Sequence, residues 1–127
     1  MGEWVNEKMS GVKTHKDLEI WQRGIGFVTE IYKVTKLFPR EELYGLRAQM
    51  RRAAVSFPSN VAEGAARSSR REYVQFLYIA LSSLSEIETQ LMIAENLRYL
   101  NARDLLNDVE VLRRMTLNFI KYQKAKA

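Results

Sequence analysis

Apolar residues recur every three or four positions along four stretches of this chain, and residues that stop or cap helices mark the borders between them. In the first stretch Leu18, Trp21, Ile25, Val28, Tyr32 and Thr35 step in this way. The spacing predicts one face of a helix from about Asp17 to Phe38. A second strip, Ile20, Gly24, Phe27, Ile31, Val34 and Phe38, runs beside it. Pro39 ends the helix, because it has no N–H and disfavours helical backbone at the residue before it. The second stretch, about Glu41 to Gly64, repeats at Leu43, Leu46, Met50, Ala53, Phe57 and Val61. Pro58 lies inside it and predicts a bend, and Gly64 is placed as its C-terminal cap. Ser69 and Glu72 have the spacing of a capping box. They open a third helix whose seam is Tyr73, Phe76 or Leu77, Ala80, Leu84, Ile87, Leu91 and Ala94, ending near Tyr99. Val74, Tyr78 and Leu81 again make a second strip. Asn101 is placed to cap a fourth helix, about Ala102 to Tyr122, with Leu105, Val109, Leu112, Thr116 and Phe119 facing inward.

Short connections between long helices favour antiparallel neighbours, so the expected fold is all-α, an antiparallel up-down four-helix bundle. Residues 1–15 show no clear period and are expected to form an N-terminal arm. Residues 16–123 form the bundle domain, and 124–127 a basic tail. A bundle needs one buried stripe per helix. The extra strips, Ile20, Phe27 and Ile31 with Val74, Tyr78 and Leu81, either widen the core or form a subunit interface. The interface is the reading adopted.

At 127 residues the chain is long enough for one domain with its own core. It has no cysteine, which excludes disulfides, thiolate nucleophiles and Cys-based zinc sites. The N-terminal stretch has no continuous apolar run to serve as a signal peptide. No stretch approaches the roughly 20 apolar residues that span a bilayer. A cytoplasmic protein without membrane partners is expected. The net charge is +5. Most of that excess lies between residues 40 and 71, where Arg40, Arg47, Arg51, Arg52, Arg67, Arg70 and Arg71 face only Glu41, Glu42 and Glu63.

Chemistry is sparse. A di-metal carboxylate bundle needs Glu-x-x-His motifs on facing helices. The chain has one histidine, His15, with Val12 three residues before it. No nucleophile–base signature, phosphate loop or dinucleotide fingerprint appears. No catalytic residue, metal or cofactor is expected, and the chain is read as a non-enzyme. The arginines are the main signal. If the second helix reaches far enough, Arg40, Tyr44, Arg47 and Arg51 share a flank, with Arg52 about 100° away from Arg51. Guanidinium groups fit phosphates bidentately and a tyrosine can stack on a base. Three readings stand: these residues bind RNA or DNA, they pair with acids such as Glu42, Glu63 or those of a neighbouring subunit, or they bind another anion.

The chain also resembles a known family. The carrying residues are Asp17-Leu18-Glu19-Ile20-Trp21-Gln22, Phe38-Pro39 and Tyr44-Gly45-Leu46. The strongest block runs from Gln49-Met50-Arg51-Arg52-Ala53-Ala54 through Ser56-Phe57-Pro58-Ser59-Asn60 to Ala62-Glu63-Gly64. Arg67, Glu72, Phe76-Leu77 and the run from Glu86 to Leu91 follow. Over about Lys16 to Tyr122 the sequence is similar to the 23S rRNA intervening-sequence proteins, a family that also includes the accessory variability determinant of diversity-generating retroelements. The resemblance implies a non-enzymatic, closed homo-oligomer, typically a pentameric barrel. Its retroelement branch implies work with nucleic acid and a partner protein. Arg51, Arg52, Asn60, Glu63 and Arg67 fall in the family block. For Asn60 and Glu63, beside Pro58, the adopted role is structural: satisfying backbone groups that the proline frees. The function expected is a basic oligomeric scaffold that binds nucleic acid mainly through phosphates. The alternative is an oligomer that recruits a partner protein and binds no nucleic acid.

Overall fold

The computed structural model describes residues 18–126. The expected N-terminal arm lies outside these residues. Four α-helices account for most of them: α1 Glu19–Thr35, α2 Leu46–Ala65, α3 Arg70–Asn96 and α4 Arg103–Lys126. A short 3-10 turn, Arg40–Glu42, lies between α1 and α2. Among the described residues there is no strand, and no helix is long and apolar enough to cross a membrane. Each helix packs on its neighbours in sequence, α1 on α2, α2 on α3, α3 on α4, and α1 closes more loosely on α4.

The seam of α3 is as its spacing predicts. Tyr73, Leu77, Ala80, Leu84, Ile87, Leu91 and Ala94 are all buried, and Leu77 rather than Phe76 takes the ambiguous place. On α4 the inward positions are Leu105, Val109, Leu112 and Thr116, continued by Ile120 and Gln123, while Phe119 is only partly buried. On α1 the two strips exchange roles. Ile20, Gly24, Phe27 and Ile31 form the buried stripe, whereas Ile25 and Tyr32 are exposed. The physical reason is Gly24. A β-carbon there would lie 2.9 Å from the Phe57 ring and 3.4 Å from Pro58. Only the strip containing this glycine lets α1 approach α2 so closely. Ile20, Phe27 and Ile31, proposed as interface residues, are therefore core residues of the single chain. Val74 and Leu81 are partly buried against that core, and Tyr78 is exposed.

α2 runs unbroken through Pro58, which is itself buried. Gly64 is not a cap, because the helix continues to Ala65 and closes at Ala66. A β-carbon on Gly64 would stand 2.9 Å from the Tyr73 ring, 3.0 Å from Phe76 Cβ and 3.1 Å from the Tyr73 carbonyl oxygen. Gly64 thus sits where α2 packs too closely on α3 to admit a side chain. Ser69 does cap α3, its hydroxyl accepting from the Glu72 N–H at 3.2 Å. At the other end of α3 the Tyr99 N–H donates to the Ala94 carbonyl and the Arg98 N–H to the Glu95 carbonyl. Arg98 sits at φ 64°, the left-handed position of a Schellman closure that glycine usually fills.

Candidate nucleic-acid interface

The proposed basic flank is only partly assembled. α2 begins at Leu46, so Arg40 and Tyr44 precede it and do not extend its face. Arg40 lies in the 3-10 turn, and Tyr44 stands free at 90% exposure. Arg51 is turned inward onto the end of α1. Its Nε donates to Thr35 Oγ1 at 2.9 Å, its terminal nitrogen donates to the Tyr32 carbonyl at 3.1 Å, and its guanidinium lies 4.3 Å over the Tyr32 ring. Thr35, fully buried, donates in turn to the Ile31 carbonyl. A cation at a helix C-terminus is stabilised by the orphan carbonyls there. Arg51 thus acts as the C-terminal clamp of α1. Arg47, half-buried, has its Nε enclosed without a partner among the described residues.

The remaining candidates divide in the same way. Arg67 pairs with Glu63 at 3.0 Å and lies 4.5 Å over the Phe76 ring. That pair is exposed, of the kind worth about 0.3–0.5 kcal/mol. Arg70 donates to Gln123 on α4. Arg52 and Arg71 are exposed and make no ion pair among the described residues. Glu63 is therefore a surface partner, not a ligand of freed backbone. Asn60 Nδ2 donates to the Ser56 carbonyl at 2.8 Å and to Ser56 Oγ at 3.0 Å. The carbonyl that Pro58 leaves without its helical donor is that of Ala54. Asn60 instead anchors a small polar contact between helices, completed by Ser83 Oγ, 2.8 Å from Ser56 Oγ.

Two tying contacts were invisible to spacing. Glu42 caps α2 in place of the side-chain-less Gly45: one carboxylate oxygen accepts from the Leu46 N–H at 3.0 Å, the other from the Tyr99 hydroxyl at 2.8 Å. That bond, with burial and the nearby carboxylates, raises the Tyr99 phenol above its ordinary pKa. It ties the α1–α2 connection to the α3–α4 connection, and Phe38 packs on Tyr99 with ring centroids 5.1 Å apart. The only advance signal was an acid four residues before a helix start. The second contact is the Arg113 bridge, which joins Glu88 on α3 at 3.1 Å and also holds Glu110.

The described surface has shallow clefts but no convergent catalytic set. One of them, about 300 Å³, lies between α1 and α4 and is lined by Arg23, Gly26, Phe27, Glu30, Asp108, Val111 and Leu112. Among the described residues no group of three or more His, Asp or Glu side chains could hold a metal.

Residues 16–118, which span all four helices but the last turns of α4, match a known family, that of the 23S rRNA-intervening sequence protein. The chain belongs to that family. A solved structure of a protein of unknown function from the S23 ribosomal protein family of Bacteroides thetaiotaomicron is similar, with a TM-score of 0.75 and 22% identity. The match covers 80% of this chain and 95% of that one. At that identity the likeness concerns the fold. No curated protein matches the chain. In this member of the family the polar residues of α2 divide: Arg51, Ser56 and Asn60 make contacts within the bundle, while Arg52 and Glu63 lie at the surface.

Proposed function

We propose that this chain is a non-enzymatic basic scaffold that assembles into a closed homo-oligomer and binds nucleic acid mainly through phosphate contacts. The observation that supports assembly is a pair of unlike apolar faces left over on the single chain. One combines Ile25 and Tyr32 of α1 with Val55 of α2, each about two-fifths exposed. The other is on the outer side of α3, where Ile79 and, farther along, Met92 and Ile93 are exposed, with Ser82, Ser85, Glu86 and Thr89 between them. Two different faces on different sides join head to tail, and such contacts close into rings when the rotation permits. The family resemblance suggests five copies. Exposed arginines without ion-pair partners, Arg52 and Arg71 among them, support attraction of a polyanion. We place this work in the cytoplasm.

The second reading is a scaffold that recruits a partner protein. It is favoured by the internal use of Arg51, Arg67 and Arg70. Nucleic-acid titration across a salt series, with particle mass measured in parallel, separates the two. Binding that weakens linearly in log salt supports the first. An intact oligomer that binds nothing at low salt leaves the second. The assembly itself is tested by Ile79→Glu with Ile93→Glu. Both side chains are exposed in the single chain, so helicity is expected to hold while particle mass drops to that of a monomer. Unchanged mass removes the α3 face from the contact.

A further inference from the structure

The two ends of the bundle differ in charge. One end joins the start of α1, the α2–α3 turn and the last turns of α4. Beyond the Arg23–Glu19 pair, which cancels, it carries Arg67, Arg70, Arg71, Lys121, Lys124 and Lys126 against Glu63 and Glu72. The other end, formed by the α1–α2 and α3–α4 connections and the helix turns beside them, has, beyond the Lys33–Glu30 pair, Lys36, Arg40, Arg47, Arg51, Arg98 and Arg103 against Glu41, Glu42, Glu95 and Asp104. Among the described residues, six cations to two carboxylates at one end compare with six to four at the other.

The basic end is also fastened together and lined with rings. Arg70 bonds Gln123 across the α3–α4 seam. Lys124 Nζ donates to the Tyr78 hydroxyl at 2.9 Å and lies 5.2 Å from the ring centre. Lys126 lies 5.6 Å over Tyr122, whose ring is stacked against Phe119 at 6.2 Å and 14°. Tyr78 and Tyr122 are 44% and 52% exposed.

We propose that this basic end, rather than the flank of α2, holds the nucleic acid, and that the ligand is a single strand. The proposal rests on the nucleic-acid reading above. On the flank, Arg51 is committed to α1 and Arg47 is partly enclosed. At the basic end Arg71 and Lys121 are exposed without partners among the described residues. Lys124 and Lys126 rest on exposed rings, a contact worth only about 0.5–1 kcal/mol at a surface. A phosphate draws the ammonium groups away and uncovers ring faces. Unpaired bases can then stack there, which the paired bases of a duplex cannot do. If the copies assemble with parallel axes, every basic end lies on one side of the ring, and one strand engages several at once.

The test is fluorescence anisotropy of the full chain with an oligouridine of about 20 nucleotides and a duplex of equal length, over a salt series, with the particle mass of each variant measured. The triple variant Arg71→Gln, Lys121→Gln, Lys124→Gln is expected to lose more than about tenfold in affinity and to flatten the log–log salt slope by about two. Its mass is expected to stay unchanged. Lys36→Gln, Arg98→Gln, Arg103→Gln removes the same charge at the other end and is expected to keep affinity within about twofold. Equal losses in both triples overturn the placement while leaving nucleic-acid binding intact. A duplex bound as tightly as the single strand overturns the ligand assignment. Absence of binding by the unsubstituted protein at low salt overturns both this proposal and the reading beneath it.

Discussion

The seam between α2 and α3 and the seam between α1 and α4 solve the same packing problem in opposite ways. Between α2 and α3 the helices meet over small residues, Ala53, Ser56 and Gly64 on one side and Ala80 and Ser83 on the other. The two serine hydroxyls touch, and Gly64 has no room for a methyl group. Between α1 and α4 a cleft of about 300 Å³ remains, floored by Phe27 and Leu112 and rimmed by Arg23, Glu30 and Asp108. Gly26 opens onto it with nothing within 4 Å of where a β-carbon would be. A close seam constrains every residue in it, while an open seam tolerates charge and change. The shape of the fold therefore depends on the first seam much more than on the second.

The sharpest way to break this contrast is Gly64→Ala. The new methyl group meets Phe76 Cβ and the Tyr73 carbonyl, neither of which can move without moving α3. Overpacking of this kind costs about 1–3 kcal/mol, and a fall in the urea midpoint of that size is expected. Tyr73→Phe probes the same seam from the other side. The Tyr73 hydroxyl is buried without a partner among the described residues, and burial raises its pKa far above the ordinary phenol range, with Arg70 offsetting part of the rise. Deleting that hydroxyl is expected to stabilise by about 1 kcal/mol, since an unsatisfied buried group costs about that much. The matched control on the open seam is Gly26→Ala. The same chemical change as at Gly64 is expected to stabilise by about 0.5–1 kcal/mol, because a helix interior prefers alanine and space is free. Equal signs for Gly64→Ala and Gly26→Ala would refute the distinction between the seams.

Periodicity made the four helices, the α3 seam and the Ser69 cap legible, because each depends on residues close in sequence. It could not choose between the two strips of α1. Both have the helical period, and the choice depends on a glycine meeting Phe57 some thirty residues away. Gly64 was misread for a related reason: a glycine near a helix end can serve either a cap or a close crossing, and only the position of Tyr73 decides. The arginines were legible as a cluster but not as individuals. Arg51 is drawn inward by carbonyls of α1 that spacing does not reveal, whereas Arg71 has no such attractor. Arg98 in a left-handed position carried no sequence signal at all.

The smallest effect expected is on the open seam, at Asp108. Burial, followed by the carboxylates of Asp104 and Glu30, raises its pKa above the ordinary 3.8, and Arg23 opposes the rise. The folded chain therefore binds this proton more readily than the unfolded chain. Stability from this site is greatest below pH 3.8. It falls as pH climbs through the raised folded value and stays lower at neutral pH. Asp108→Asn removes the charge and keeps the shape. It is expected to raise Tm slightly near neutrality, with the gap to the unsubstituted protein closing as pH falls through the carboxylate range. Parallel pH profiles for the two proteins would mean that the open seam tolerates its carboxylates at no cost, a still stronger contrast with the close seam of α2 and α3.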